Sequence, residues 1–247
     1  MISPEELTII IPHLGGTSES EYALDQCLKS LLETKPKDTK IITVTNGGKT
    51  DWEGDINIDE QGQCRAVNDG VEEADTPWLM VTNDDMIYPP GWFGRLTTAD
   101  FLCLSPKLIE PRPGAPTFEV YFCGGAGGDF DKEKFLEFDR NYQRSDAFVR
   151  SGFNLPFIIR RDLWETVGGY DIKYDPWSSN SDSDLEYKIR LAGVQPIQNT
   201  NALVYHFSQT SGTFNPENQD HWNHNFAYFQ EKWGFPRTDQ GIWEANF

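Results

Sequence analysis

The chain has 247 residues, 38% hydrophobic and 13% aromatic, enough to bury a sizeable core in one large domain and too apolar for a disordered protein. A formal net charge of -18 excludes nucleic acid as a partner of the general surface, so an anionic ligand has to be met locally, by a metal ion or a helix N-terminus. Cys27, Cys64, Cys103 and Cys123 form no CxxC pair, the N-terminal MISPEELTII is not built like a signal, and no apolar run approaches the roughly 20 residues of a bilayer span, so free thiols, no transmembrane segment and a cytoplasmic location are expected.

LTIIIP at 7–12 suits a buried strand, and Leu24, Cys27, Leu28, Leu31 and Leu32 then recur at helical spacing. KIITVT at 40–45 is a second strand, stopped by Asn46-Gly47-Gly48. Ala66, Val67, Gly70, Val71 and Ala74 mark a second helix before the strand WLMVT at 78–82. This βαβαβ alternation predicts an α/β fold with a mostly parallel sheet flanked by helices. Farther along, FLCLS (101–105), FEVYFC (118–123) and LPFIIR (155–160) read as strands, while 131–143 and 184–192 read as helices. Trp222, Phe226, Phe229 and Trp233 form the apolar stripe of a last helix, stopped by Gly234 and Pro236.

Asn83-Asp84-Asp85 follows the third strand, where parallel sheets open their ligand crevices. Two adjacent carboxylates there suit a hard divalent cation, magnesium or manganese; an Asx-type turn closing the strand is the plain alternative.

In order and spacing, ALDQCLKSLL (23–32), QGQCRAVNDGVEEA (61–74), WLMVTNDDMIYPPGWF (78–93), GGYDIKYDPWSSNSDSDLEYKIRLAG (168–193) and VYHFSQTSG (204–212) resemble the family-2 inverting glycosyltransferases of GT-A fold. The resemblance implies one GT-A domain over 1–247: a nucleotide-sugar half at 1–100, an acceptor half at 101–216 and a C-terminal helix and tail at 217–247. It implies transfer of a sugar from a nucleotide diphosphate sugar, a UDP-sugar, to a hydroxyl of a glycan or other acceptor, with Mn2+ or Mg2+ as cofactor. Asn83-Asp84-Asp85 falls on the family's DXD-type motif, so Asp85 would ligate the metal, with Asp84 or Asn83 on the ribose or a metal-bound water. His206 would complete the metal site. Gly62 and Asn68 lie on a helix that packs under the nucleotide, and Tyr170 sits in the GGxD-like turn facing the acceptor. Ser181-Asp182-Ser183-Asp184 stands where the family writes ED-x-D, mapping the catalytic base to Asp182, with Asp184 the alternative because Ser181 replaces the acid.

PHLGG and TNGG replace the family's usual base-binding residues, leaving Asn46 or Thr45, with the backbone of Pro12, His13 and Leu14, to meet the base. Trp177 is a candidate platform for an acceptor sugar. On their residues alone, Ser181-x-x-Asp184 and Ser183-x-x-Glu186 also read as helix caps, and His206 as a buried hydrogen-bonded imidazole. His221 and His224 read as surface residues. Two rival functions remain: a sugar-phosphate nucleotidyltransferase, which would need a basic residue in the glycine loop after the first strand, and an inactive GT-A-like sugar-nucleotide binding protein, which Ser181 and the altered base segments would suit.

Overall fold

The computed structural model describes residues 2–98, 101–112, 119–144, 149–208, 210 and 215–235. The first half follows the expected alternation: β1 (Leu7–His13), α1 (Ser18–Thr34), β2 (Lys40–Asn46), β3 (Ile56–Ile58), α2 (Gln63–Glu73), β4 (Trp78–Val81) and β5 (Met86–Ile87). It continues with α3 (Trp92–Leu96), β6 (Cys103–Glu110), β7 (Glu119–Val120), α4 (Lys132–Asn141), β8 (Val149–Ser151), β9 (Phe157–Arg160), α5 (Arg161–Val167), α6 (Ser181–Leu191), β10 (Ile197–His206) and α7 (Gln219–Trp233).

The sheet runs β3-β2-β1-β4-β9-β6-β10-β5, with β7 added to β6 and β8 to β10. β1 pairs in parallel with β2 and β4, and β6 with β10. β9 enters antiparallel between β4 and β6 and joins the two parallel groups. Every residue of β1 is buried, as expected of a strand covered on both faces, and each fully buried Ile contributes about 2 kcal/mol. α2 lies close on this sheet because Gly70 has no side chain: a Cβ there would stand 2.6 Å from Ile10 Cγ2 and 3.1 Å from Val44 Cγ2.

Three expectations shift. The strand read at 101–105 runs from Cys103 to Glu110, through Pro106. Pro106 pairs with Asn199 where the β6/β10 register breaks, a place that tolerates a residue with no N–H. Of the strand read at 118–123 only Glu119–Val120 pairs, and Phe118 lies outside the described residues. Tyr121 instead stacks on Phe138 at 4.2 Å, and Cys123 N–H donates to the Tyr205 hydroxyl.

The third shift concerns α7. It ends at Gly234 in the left-handed conformation (φ 78°), as expected of a helix-stopping glycine; Pro236 lies outside the described residues. Of its apolar stripe Phe229 is buried, while Trp222 and Phe226 are half-buried and stack on each other. Asn225 is buried among them because its Nδ2 donates to the Tyr174 carbonyl at 2.7 Å, an acceptor that would otherwise lose its partner under the helix. The four cysteines are buried and free, and no helix among the described residues is long and apolar enough to cross a membrane.

Candidate active site

The carboxyl ends of β1, β2 and β4 converge on a small pocket of 70 Å³, walled by Pro12, Leu14 and Asn46 on one side and by Asn83, Asp84 and Asp85 below. Pro176, Trp177 and Thr210 close it from the second half of the chain. A larger cleft of 730 Å³ adjoins it, sharing Leu14, Trp177 and Thr210. Lys49 sits over the Trp177 ring at 5.6 Å while its Nζ donates to Gln61 Oε1, so the loop after β2 meets the loop before α6 across the pocket.

Asp85 and His206 come together here although 121 positions separate them, because antiparallel pairing of β5 with β10 sets His206 opposite Met86. Asp85 is 4% exposed. Its Oδ2 accepts from Thr210 Oγ1 at 2.9 Å and lies 3.3 Å from His206 Nε2. Burial pushes the Asp85 carboxyl up, but His206 outweighs it and the group ends below the usual carboxylate range. For His206, burial pushes down, and the Asp85 and Glu110 carboxylates carry the imidazole up to about 10. Glu110 Oε1 stands 2.7 Å from His206 Nδ1.

Asp85 Oδ1 is buried with no hydrogen-bond partner among the described residues. A divalent cation fits this arrangement, since it would satisfy the orphaned oxygen and take the Nε2 of a deprotonated His206 as a second ligand. The described residues contain no cluster of three or more His, Cys, Asp or Glu groups able to enclose a metal, so the remaining positions would fall to ligand phosphates and water.

Asp84 is paired differently. Its Oδ2 is 2.6 Å from Nδ1 of His13, which is fully buried and has Glu21 3.5 Å from its Nε2. Burial pushes His13 down, and the hydrogen bonds and negative charges of Asp84 and Glu21 together more than offset it, leaving the imidazole raised; burial also leaves the Asp84 carboxyl raised against the pull of His13.

Asn46 does not present a free amide to the pocket. Its Nδ2 donates to the His13 carbonyl at 3.0 Å and its Oδ1 accepts from Gly62 N–H at 2.9 Å, tying the ends of β1 and β2 to the start of α2. The first turn of α2 would be a ready anion site, but a carboxylate of the chain occupies it: Asp175 accepts from Cys64 N–H and Arg65 N–H, both at 3.0 Å. Gly62 permits this approach, because a Cβ there would lie 2.4 Å from Asp175 Oδ2. Of the two local devices for holding an anion, the metal is the one left open at this place.

Asp182 is half-exposed in the first turn of α6, five residues after Trp177, and its Oδ1 accepts from the Tyr170 hydroxyl at 2.6 Å. Tyr170 is itself buried at 4% exposure, so it orients Asp182 instead of offering a surface to a ligand. Burial, with Asp182 beside it, pushes the Tyr170 hydroxyl far up, which keeps it a donor. Asn68 pins Tyr170 by donating to its carbonyl and accepting from its N–H, and neither residue lines the pocket. Asp184 is 1% exposed and turned toward α7, where Lys232 Nζ and Trp233 Nε1 each lie 2.8 Å from Oδ1. His221 and His224 are exposed, as the sequence suggests.

Gln63, Thr210 and Glu110 are site residues that no motif singles out. Gln63 Nε2 donates to Asn83 Oδ1 at 2.9 Å. Its place at the start of α2 was readable; the other two depend on strand pairing.

No family model and no curated protein matches the chain. Solved structures do. GalNAc-T7 with UDP, GalNAc and Mn2+ superposes with a TM-score of 0.53 at 16% identity, over 96% of this chain and 52% of that one. The mannosyltransferase PcManGT from Pyrobaculum calidifontis, in complex with GDP-Man and Mn2+, superposes with a TM-score of 0.55 at 16% identity, over 92% of this chain and 64% of that one. The chain thus spans between half and two thirds of the length of these neighbours, and what they share with it is the GT-A fold, as the resemblance implied.

Proposed function

We propose that the protein is a metal-dependent inverting glycosyltransferase of the family-2 kind, moving a sugar from a nucleotide diphosphate sugar, a UDP-sugar, to a hydroxyl of a glycan or other acceptor. The observation that carries this reading is the buried, unpartnered Asp85 Oδ1 beside His206, at the strand ends of a GT-A fold. The neighbours' bound UDP, GDP-Man and Mn2+ agree with it. Asp85 and His206 would hold Mn2+ or Mg2+, which would supply Lewis-acid stabilisation of the charge that builds on the departing diphosphate.

The chain's own residues do the rest. Pro12 and Leu14 flank the nucleoside, Asn46 fixes the wall it rests on, and Asn83 and Asp84 face its ribose. Gln63 and Asn83 present amides to the same space. Trp177 offers its ring at the junction with the larger cleft, where the acceptor sugar stacks. Asp182, aimed by Tyr170 through Asn68, takes the proton of the attacking hydroxyl on its carboxylate. Asp184, held in its ion pairs, is left out of this step.

Asp182→Asn keeps the shape and removes the proton acceptor, so transfer is expected to fall by roughly 10² to 10⁴ with affinity for UDP and manganese unchanged. Turnover and calorimetry on the Asp182→Asn and Asp184→Asn variants test it. An Asp182→Asn enzyme with normal turnover would falsify the assignment of the base, and equal UDP affinity with manganese and with EDTA would remove the metal.

A further inference from the structure

Glu110 is the last residue of β6 and is 3% exposed, among Leu108, Ile109 and Tyr205, all buried. An apolar side chain would fill such a place without the cost of burying a charge. Among the described residues the Glu110 carboxylate has no lysine or arginine as partner; its hydrogen bond is to His206, 2.7 Å from Oε1 to Nδ1. Register explains how they meet: β6 and β10 are parallel, with Ile109 opposite Tyr205, so the next residues along the two strands are Glu110 and His206.

An imidazole can present only one nitrogen lone pair, and the partner of the other nitrogen decides which. A carboxylate on Nδ1 keeps the proton there and turns Nε2 outward as the acceptor. Nε2 is the nitrogen on the Asp85 side, 3.3 Å from Oδ2. Thr210 does a comparable thing for Asp85, bonding Oδ2 and leaving Oδ1 unpartnered.

We propose that Glu110 is a positioning residue of the metal site: it holds the proton on His206 Nδ1 and fixes the ring, so that Nε2 and Asp85 Oδ1 together face one divalent cation. The proposal rests on the reading of Asp85 and His206 as metal ligands. It differs from a purely structural ion pair in that Glu110 acts on the cation only through His206.

That dependence makes it testable without turnover. Free Mn2+ is measured by electron paramagnetic resonance during titration of the protein in the presence of UDP. The variants are His206→Ala, Glu110→Ala, Glu110→Gln and each Glu110 change combined with His206→Ala. Glu110→Ala is expected to weaken Mn2+ binding by about 100-fold and Glu110→Gln, whose amide oxygen still accepts from Nδ1, by about 10-fold. Neither is expected to weaken it further once His206 is alanine. Should Glu110→Ala not fold, Glu110→Gln, which keeps the volume, decides in both backgrounds. Nitrogen-15 spectra of the Mg2+-loaded protein are expected to show the His206 proton on Nδ1. If His206→Ala loses Mn2+ while both Glu110 variants bind as wild type, or if the effects simply add, Glu110 is a stabilising pair only and the proposal fails. If wild type binds no Mn2+, or His206→Ala binds as wild type, the metal reading fails first and takes the proposal with it.

Discussion

Two buried carboxylate clusters can be compared, one under the pocket and one under α7. Beneath α7, Asp171 and Asp184 share Lys232, at 2.8 Å from each, and Lys188 lies 3.6 Å from Asp184 Oδ2. Tyr228 and Trp233 complete the shell with donors at 2.7 and 2.8 Å. Permanent cations and aromatic donors balance that cluster at any ordinary pH. Beneath the pocket the partners of Asp84 and Asp85 are the histidines His13 and His206 and a hydroxyl, and one oxygen has no partner. Each cluster keeps one carboxylate oxygen without a hydrogen bond, Asp184 Oδ2 and Asp85 Oδ1, but among the described residues lysines neutralise the first cluster and histidines the second.

Removing one acid from each cluster should therefore have opposite effects. Asp184→Ala leaves Lys188 without its carboxylate and Lys232 with Asp171 alone, and is expected to cost about 3 kcal/mol of stability, read as a lowered urea midpoint and a loosened α7. Asp85→Ala leaves His206 its Glu110 partner, so the melting temperature should barely move. Its signature is in binding: UDP affinity in manganese should fall by at least about 100-fold, the upper end for partners one shell farther out. A large melting loss for Asp85→Ala with binding intact would reverse the comparison and make the site cluster structural.

A smaller effect comes from acid. Burial pushes the Asp171 carboxyl up, but Lys232, the Lys173 N–H and Tyr228 overcome it and hold the group down at about 2. A depressed carboxylate stabilises the fold above its unfolded value near 3.8 and loses that contribution as pH falls through the folded value. Between pH 4 and 2 the wild type should thus lose about 2 kcal/mol more than Asp171→Asn, followed by tryptophan fluorescence in urea. Parallel pH profiles for the two proteins would show that Asp171 adds nothing to the docking of α7.

What could be read from the sequence was local. Ile9, Ile10 and Ile11 announce a strand buried on both faces, Gly70 a close helix contact, and Asn83-Asp84-Asp85 a polar strand end in a parallel sheet. What stayed hidden lies across long separations. His206 meets Glu110 across 96 positions and Asp175 meets Cys64 across 111, and no periodicity encodes either. Asn68, Tyr170 and Asp184 lie in stretches that resemble family motifs, yet such a resemblance does not say whether a residue touches a ligand or holds a neighbour. The antiparallel entry of β9 was likewise invisible, since LPFIIR reads the same in either direction of pairing.

The start of α2 has a mechanical consequence. Gly62 N–H is fastened to Asn46, at the end of β2, and the N–H groups of Cys64 and Arg65 to Asp175, two residues before Trp177. One helical turn is thus riveted to both walls of the pocket, the wall that carries Asn46 and the wall that carries Trp177. Torque applied to either wall is transmitted to the other through the same few amides. Through these amides the two walls are braced against each other as a single stiff jaw.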